Sequence, residues 1–254
     1  MRATRSTTRA LVAMTAALAL FGSACGDDDK STTTTAAPAT TGATTETTGA
    51  PGTTGATETT AAAGFEGELV GTFAITAGDC TDGVAGSWFK MVLQGGTPEA
   101  GPYIQNADST CTADTNFSPL VPGTDGGLIT GSFQAAPDPA YDATGNGLAG
   151  AIVVPVKFFG VDFAAAMDSA ATMPMLTATD GVLTGDLSAF TAYYAGQAFN
   201  QGAPKPDGTG SAPTGTIDPA TGAFVIEWSS LISGGSFDGF TGVWHLEGTF
   251  TPAG

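Results

Sequence analysis

Turn-forming residues set the first limit on what this chain can fold into. Between residues 65 and 254, clusters of Gly, Pro, Asn and Asp recur every 8–12 residues, and no window of 12 residues carries a clean helical apolar stripe. The remaining periodicity is two. Leu69, Phe73 and Ile75 share one side of a strand, with Gly71 between them. Phe89, Met91 and Leu93 face away from Trp88, Lys90, Val92 and Gln94. Near Ile129, Gly131 and Phe133 alternate with Thr130 and Ser132. Residues 151–159 (AIVVPVKFF) form a continuous apolar run whose Pro155 removes a ladder donor, so this strand belongs at an edge or carries a bulge. Asp180-Gly181 reads as a two-residue hairpin loop. Residues 218–222 (DPATG) read as a type I turn with Gly222 in the left-handed position. The best helical candidate, residues 161–171 (VDFAAAMDSAA), is two or three turns at most. These patterns predict an all-β domain over 65–254, an antiparallel β-sandwich or barrel of about nine or ten strands.

The segment before that domain is of another kind. Residues 31–64 hold 15 Thr with Ala, Gly, Pro and two acids, Glu46 and Glu58. No large apolar side chain is present, so the segment cannot build a core and is expected to be a disordered linker. A short imperfect repeat, TTGATTETT at 40–48 and TTGATETT at 53–60, is low complexity and not a solenoid. As a flexible coil it would span about 30–35 Å. Such Thr-rich exported segments are also candidates for O-glycosylation.

Residues 1–24 read as an export signal. Arg2, Arg5 and Arg9 precede an apolar run of 12 residues, 10–21, which is shorter than the roughly 20 a spanning helix needs. Gly22, Ser23, Ala24 and Cys25 follow. This ending resembles the lipobox of bacterial lipoproteins, although Gly22 stands where that family usually has Leu, Val or Ile. The resemblance implies a diacylglycerol on Cys25 and anchorage on the outer face of the cytoplasmic membrane. Cleavage after Ala24 by ordinary signal peptidase is the alternative. The start Cys-Gly-Asp-Asp-Asp followed by a Thr-rich tether is similar to lipoproteins of high-GC Gram-positive bacteria. Cysteine counting agrees, because three Cys in an exported chain leave one over after pairing. The expectation is lipid on Cys25 and a disulfide between Cys80 and Cys111, with two buried reduced thiols as the alternative.

Charge excludes one class of function. The chain carries a net charge of -17, and after residue 64 it has 19 acids against Lys90, Lys157 and Lys205. Nucleic-acid binding needs Lys and Arg to displace counterions, so no nucleic-acid partner is expected.

The lone histidine, His245, shares a strand face with Val243 and Glu247. If Trp228 lies opposite Trp244, Glu227 lies opposite His245, as a surface pair that is structural or, less simply, a general base and its orienting carboxylate. Asp138, Asp142, Thr144 and Asn146 have part of the oxygen spacing of an EF-hand loop, but Val153 stands where the closing Glu should be. They make a candidate weak calcium loop, the one cofactor the sequence suggests; an Asn146-Gly147 turn is the plainer reading. The acidic stretch 108–116 has the wrong spacing for calcium. Zinc is not expected, because His and free thiolate ligands are lacking. Trp88, Tyr103, Tyr193, Tyr194, Phe199, Trp228 and Trp244 are candidates to stack on sugar rings, with Tyr193 and Tyr194 beside a presumed long loop over 196–215.

Residues 227–230 and 242–248 are similar to strands of exported bacterial β-rich proteins, and that similarity implies no activity. The expected function is a non-catalytic cell-envelope lipoprotein whose β domain binds an extracellular glycan or protein partner. A surface polysaccharide hydrolase with an unassigned Asp/Glu pair and a structural envelope protein are the alternatives. Changing Cys25→Ser should move the protein from the membrane fraction to the soluble one; retention in membranes after fractionation would rule out the lipid anchor.

Overall fold

A computed structural model describes residues 64–254. The signal segment, Cys25 and the Thr-rich linker lie outside the described residues, apart from Gly64 at the linker's end. The domain is all-β, with one 3-10 turn at Gly235–Phe237. Its strands are β1 (Gly67–Leu69), β2 (Gly71–Ile75), β3 (Trp88–Thr97), β4 (Gly101–Tyr103), β5 (Ser118–Pro119), β6 (Gly127–Thr130), β7 (Val153–Phe158) and β8 (Val161–Met167). They continue as β9 (Met175–Thr179), β10 (Val182–Asp186), β11 (Phe190–Tyr194), β12 (Gln197–Asn200), β13 (Ser211–Ile217), β14 (Ala223–Leu231) and β15 (Thr241–Pro252). The fifteen strands exceed the nine or ten expected because several are only two or three residues long.

Eleven strands form one antiparallel sheet, with β1-β9-β10-β13-β14-β15-β2-β6 in order and β3, β4 and β5 attached through β15. Only Val70 separates β1 at one end from β2 near the other, so the sheet curls back on itself and nearly closes. The bend is fixed locally. A Cβ on Gly71 would lie 2.3 Å from the Thr251 carbonyl oxygen, so only glycine lets the two backbones approach. The buried Thr130 hydroxyl donates to the Leu69 carbonyl at 2.5 Å, and the Ala253 amide donates to that of Val70 at 2.9 Å.

Strand β15 is forked. One edge pairs with β14 from Thr241 to Thr249. The other edge pairs with β3 through Thr241–His245 positions and with β2 through Gly248–Pro252 positions. The fork falls at Glu247. Its carbonyl accepts the Thr76 amide at 2.7 Å, and its amide donates to the Ser87 hydroxyl at 3.1 Å. The ladder therefore changes partner without leaving a buried polar group unpaired.

The second sheet runs β12-β11-β8-β7. Pro155 does sit on an edge strand, β7, and the β7–β8 register shifts between Val153 and Val156, so edge and bulge both occur. The helical candidate is corrected: residues 161–167 are strand β8. Phe163, Ala165 and Met167 enter the main core, while Ala164 and Ala166 pack with Ala149 and Tyr193 on the other face. A strand covered on both faces loses its alternation, and small alanines make it resemble a helix in sequence. The presumed loop over 196–215 also contains β12 and the start of β13.

Asp180-Gly181 is the hairpin turn expected, with φ of 51° and 77° and Thr179 opposite Val182. Two more hairpins have the same turn, at Phe159-Gly160 and Ala195-Gly196. Cys80 and Cys111 are joined, with Cα atoms 5.2 Å apart, and the link ties together two loops 31 residues apart in sequence. In the chain-entropy account a loop of this size adds roughly 3–4 kcal/mol.

The two sheets share one aromatic core. Trp228 and Trp244 stack at 6.0 Å, and Phe190 of β11 meets both edge-on at 5.2 and 4.8 Å. Both indoles are buried and both donate to Gln201: Trp228 to its carbonyl at 2.8 Å, Trp244 to its Oε1 at 3.3 Å. Gln201→Leu should cost about 1–3 kcal/mol in urea denaturation, because it leaves the Trp244 N–H buried without an acceptor. A change below a few tenths would mean that the bond contributes nothing.

Candidate functional site

The outer face of β4, β3, β15 and β14 brings together Tyr103, Trp88, His245 and Glu227, four of the residues that the sequence singled out. The pairing Glu227↔His245 and Trp228↔Trp244 is the register expected from the sequence. On its other side His245 lies opposite Trp88 of β3. The two rings stack at 4.8 Å with only 5° between their planes. Phe117 meets Trp88 edge-on at 4.9 Å. Lys90 extends over three rings, with its Nζ 4.3 Å from the Tyr103 centroid, 5.1 Å from that of Trp88 and 5.5 Å from that of Phe117. A cation over aromatic faces is held by their quadrupoles.

His245 is clamped from both sides. Its Nδ1 is 2.7 Å from Glu227 Oε1, and its Nε2 is 3.3 Å from Glu247 Oε2. The other oxygen of Glu247 accepts the Gly86 amide at 2.9 Å, which ties the clamp to the fork in β15. A neutral imidazole has one N–H, so only the imidazolium donates to both carboxylates. Burial alone disfavours the charged ring and is the largest single influence. The two hydrogen bonds and the two negative charges outweigh it, and the pKa rises above its ordinary 6.5. The bond from His245 holds the Glu227 carboxyl below its ordinary 4.5, against partial burial and with help from the His245 and Lys90 charges.

This arrangement makes His245 a poor proton acceptor near neutral pH, because both ring nitrogens are engaged and the charged form is favoured. It leaves one fixed cation, one caged cation, two carboxylates and several partly buried rings side by side on adjacent strands. Glu247 and Phe117 were not expected as site residues. Glu247 was legible, two positions from His245 on the same strand face; Phe117 comes from a loop that no periodicity announces.

The candidate calcium residues lie elsewhere. Asp142 closes a tight turn on itself. Its Oδ1 accepts from the Thr144 amide and hydroxyl, each at 2.8 Å, and from the Asn146 amide at 3.0 Å. Its Oδ2 accepts from Asn146 Nδ2 at 2.8 Å, and these bonds hold its carboxyl down at about 2. Asn146 Oδ1 in turn accepts the Asp162 amide at 2.9 Å. These oxygens serve the turn, which accounts for the spacing; Asp138 lies exposed on the segment before it. Among the described residues no three His, Cys, Asp or Glu side chains are grouped to hold a metal. Of the aromatic candidates, Trp228 and Trp244 are core residues, each 1% exposed. Tyr193 packs against Tyr141 at 5.7 Å.

No family model, curated protein or solved structure matches the chain.

The clamp predicts a pH window. His245, with its raised pKa, stabilises the fold fully below 6.5 and loses that contribution as pH rises through its folded value. Glu227, with its lowered pKa, stabilises above 4.5 and loses its contribution as pH falls through its folded value. The stability lost by Glu227→Gln should therefore be greatest between pH 4.5 and 6.5 and shrink on both sides. Glu227 is half exposed, so the maximum should be about 1 kcal/mol or less. Urea melts across pH that show a flat difference would contradict the clamp.

Proposed function

We propose that the domain is a non-catalytic binding module, held at the outer face of a cell membrane through Cys25, whose ligand is an extracellular glycan. The observation that carries this reading is the row Tyr103, Lys90, Trp88, His245 and Glu227, which crosses four adjacent strands on one outer face. A sugar offers C–H faces that pack on half-exposed rings and hydroxyls that both donate and accept. Lys90 supplies donors, and Glu227 and Glu247, held in place by His245, supply acceptors. The rigidity of the sheet favours binding, since few side chains must be ordered on contact.

The hydrolase alternative gains less support. A glycosidase acid must hold its proton at working pH, whereas Glu227 is held ionised by the imidazolium beside it.

The test is a thermal-shift panel of cell-wall and plant glycans on the wild-type chain and on Trp88→Ala. A ligand at about 100 times its Kd adds roughly 2.7 kcal/mol, or about 5–10 °C for a domain of this size. At least one glycan should give such a shift with the wild type and none with the variant. A panel without a shift, or one equal in both proteins, would overturn the glycan reading.

A further inference from the structure

A second site lies between the two sheets, away from the Trp88 face. Phe89, Phe163 and Trp244 floor a void of about 40 Å³, Ala192 forms one wall, and Phe199 and Phe237 stand at its rim. The polar groups that border it are engaged with the protein. The Tyr194 hydroxyl donates to the Phe158 carbonyl at 2.9 Å, and Gln201 Oε1 takes the Trp244 N–H. Whatever enters must be apolar. A void left in a packed core costs stability, which close packing normally avoids.

The rim carries an independent sign. Phe159 occupies the first central position of the β7–β8 turn at φ 50°, with Gly160 following at φ 79°. That position favours Asn, Asp or Gly, and a bulky aromatic there is strained. Phe159 is nevertheless 45% exposed, so the strain is not repaid by burial. Its ring lies 5.0 Å from that of Phe158 and 5.9 Å from that of Phe237. The Gly160 amide donates to Asp108 Oδ2 at 2.7 Å, which fixes the turn beside the two lining rings, Phe158 and Phe237. Strained exposed residues cluster at ligand clamps. Phe237 ends a short 3-10 turn that begins at Gly235 and lies between Gly234 and Gly239, all three glycines at positive φ, a backbone suited to a rim that moves.

We propose that this pocket takes the end of a neutral linear alkyl chain, entering between Phe159 and Phe237. The void as it stands exceeds the ~10–15 Å³ that one water needs, so it admits the methyl end and a few methylenes. A longer chain would need the Phe237 ring to turn aside. The apolar lining offers no cation to an anionic head group, and the acidic domain around it selects against one.

The test uses 1-octanol and the Cys25→Ser chain purified without detergent, by titration calorimetry at several temperatures. Wild type should show one saturable site with a negative heat-capacity change. Phe159→Asn suits the turn better, so it should melt at the same temperature or higher, yet bind about tenfold more weakly. Ala192→Val, which fills the wall, should also weaken binding, while Trp88→Ala should leave it unchanged. Absence of saturable binding, or binding equal in wild type and Phe159→Asn, would overturn the proposal. Attachment to phosphatidylcholine vesicles that Phe159→Asn removes, without octanol binding, would assign the rim to a membrane surface and overturn the pocket.

Discussion

Two buried indole N–H groups set the terms on which the sheets of this domain meet. Trp228 and Trp244 belong to the curled sheet, yet the residue that accepts both hydrogen bonds, Gln201, follows the last strand of the other. A buried donor without an acceptor is costly, so the sheets cannot slide without losing these bonds. The neighbouring chain adds to the tie. The Gln201 amide donates to the Phe190 carbonyl at 2.9 Å, the Ser230 hydroxyl to that of Gly202 at 3.1 Å, and Lys205 Nζ to that of Leu231 at 2.5 Å. Aromatic packing joins the two sheets, and these polar ties give it a single alignment.

The same alignment positions both candidate sites. Side chains alternate along β15, so Trp244 and Leu246 face the core while His245 and Glu247 face out. One register therefore fixes the indole pair inside and the imidazole clamp outside. Trp244 also forms part of the floor of the apolar void, so core, clamp and pocket draw on four consecutive residues of one strand, 244–247.

Much of this was legible in the sequence, and the reason lies in local rules. Alternation in β14 and β15 gave the cross-strand register, and hence Glu227 beside His245, because a one-residue slip would reverse every side chain. Asp180-Gly181 and Pro155 announced a turn and an edge through backbone chemistry alone. What the sequence hid depends on distant pairing. The stack of Trp88 on His245 exists because β3 takes one half of β15 while β2 takes the other, and no local pattern announces a shared edge. Residues 161–167 misled because burial on both faces removes the period on which a strand is recognised. Phe159 was invisible as a site residue because its meaning lies in a positive φ that a phenylalanine does not advertise.

The fork in β15 bears on how the chain can acquire its shape. This strand is made after β2, β3 and β14, and each of them needs it as a neighbour. Until it emerges, β2 and β3 have no edge to join each other through, and the curled sheet has no middle. Pairing between such distant segments is slow, since a long loop must close before any bond forms. A chain cut before Thr241 would retain the partners for β7–β8, β8–β11, β11–β12, β9–β10 and β13–β14, yet it would hold no strand that joins β2 and β3 to β14.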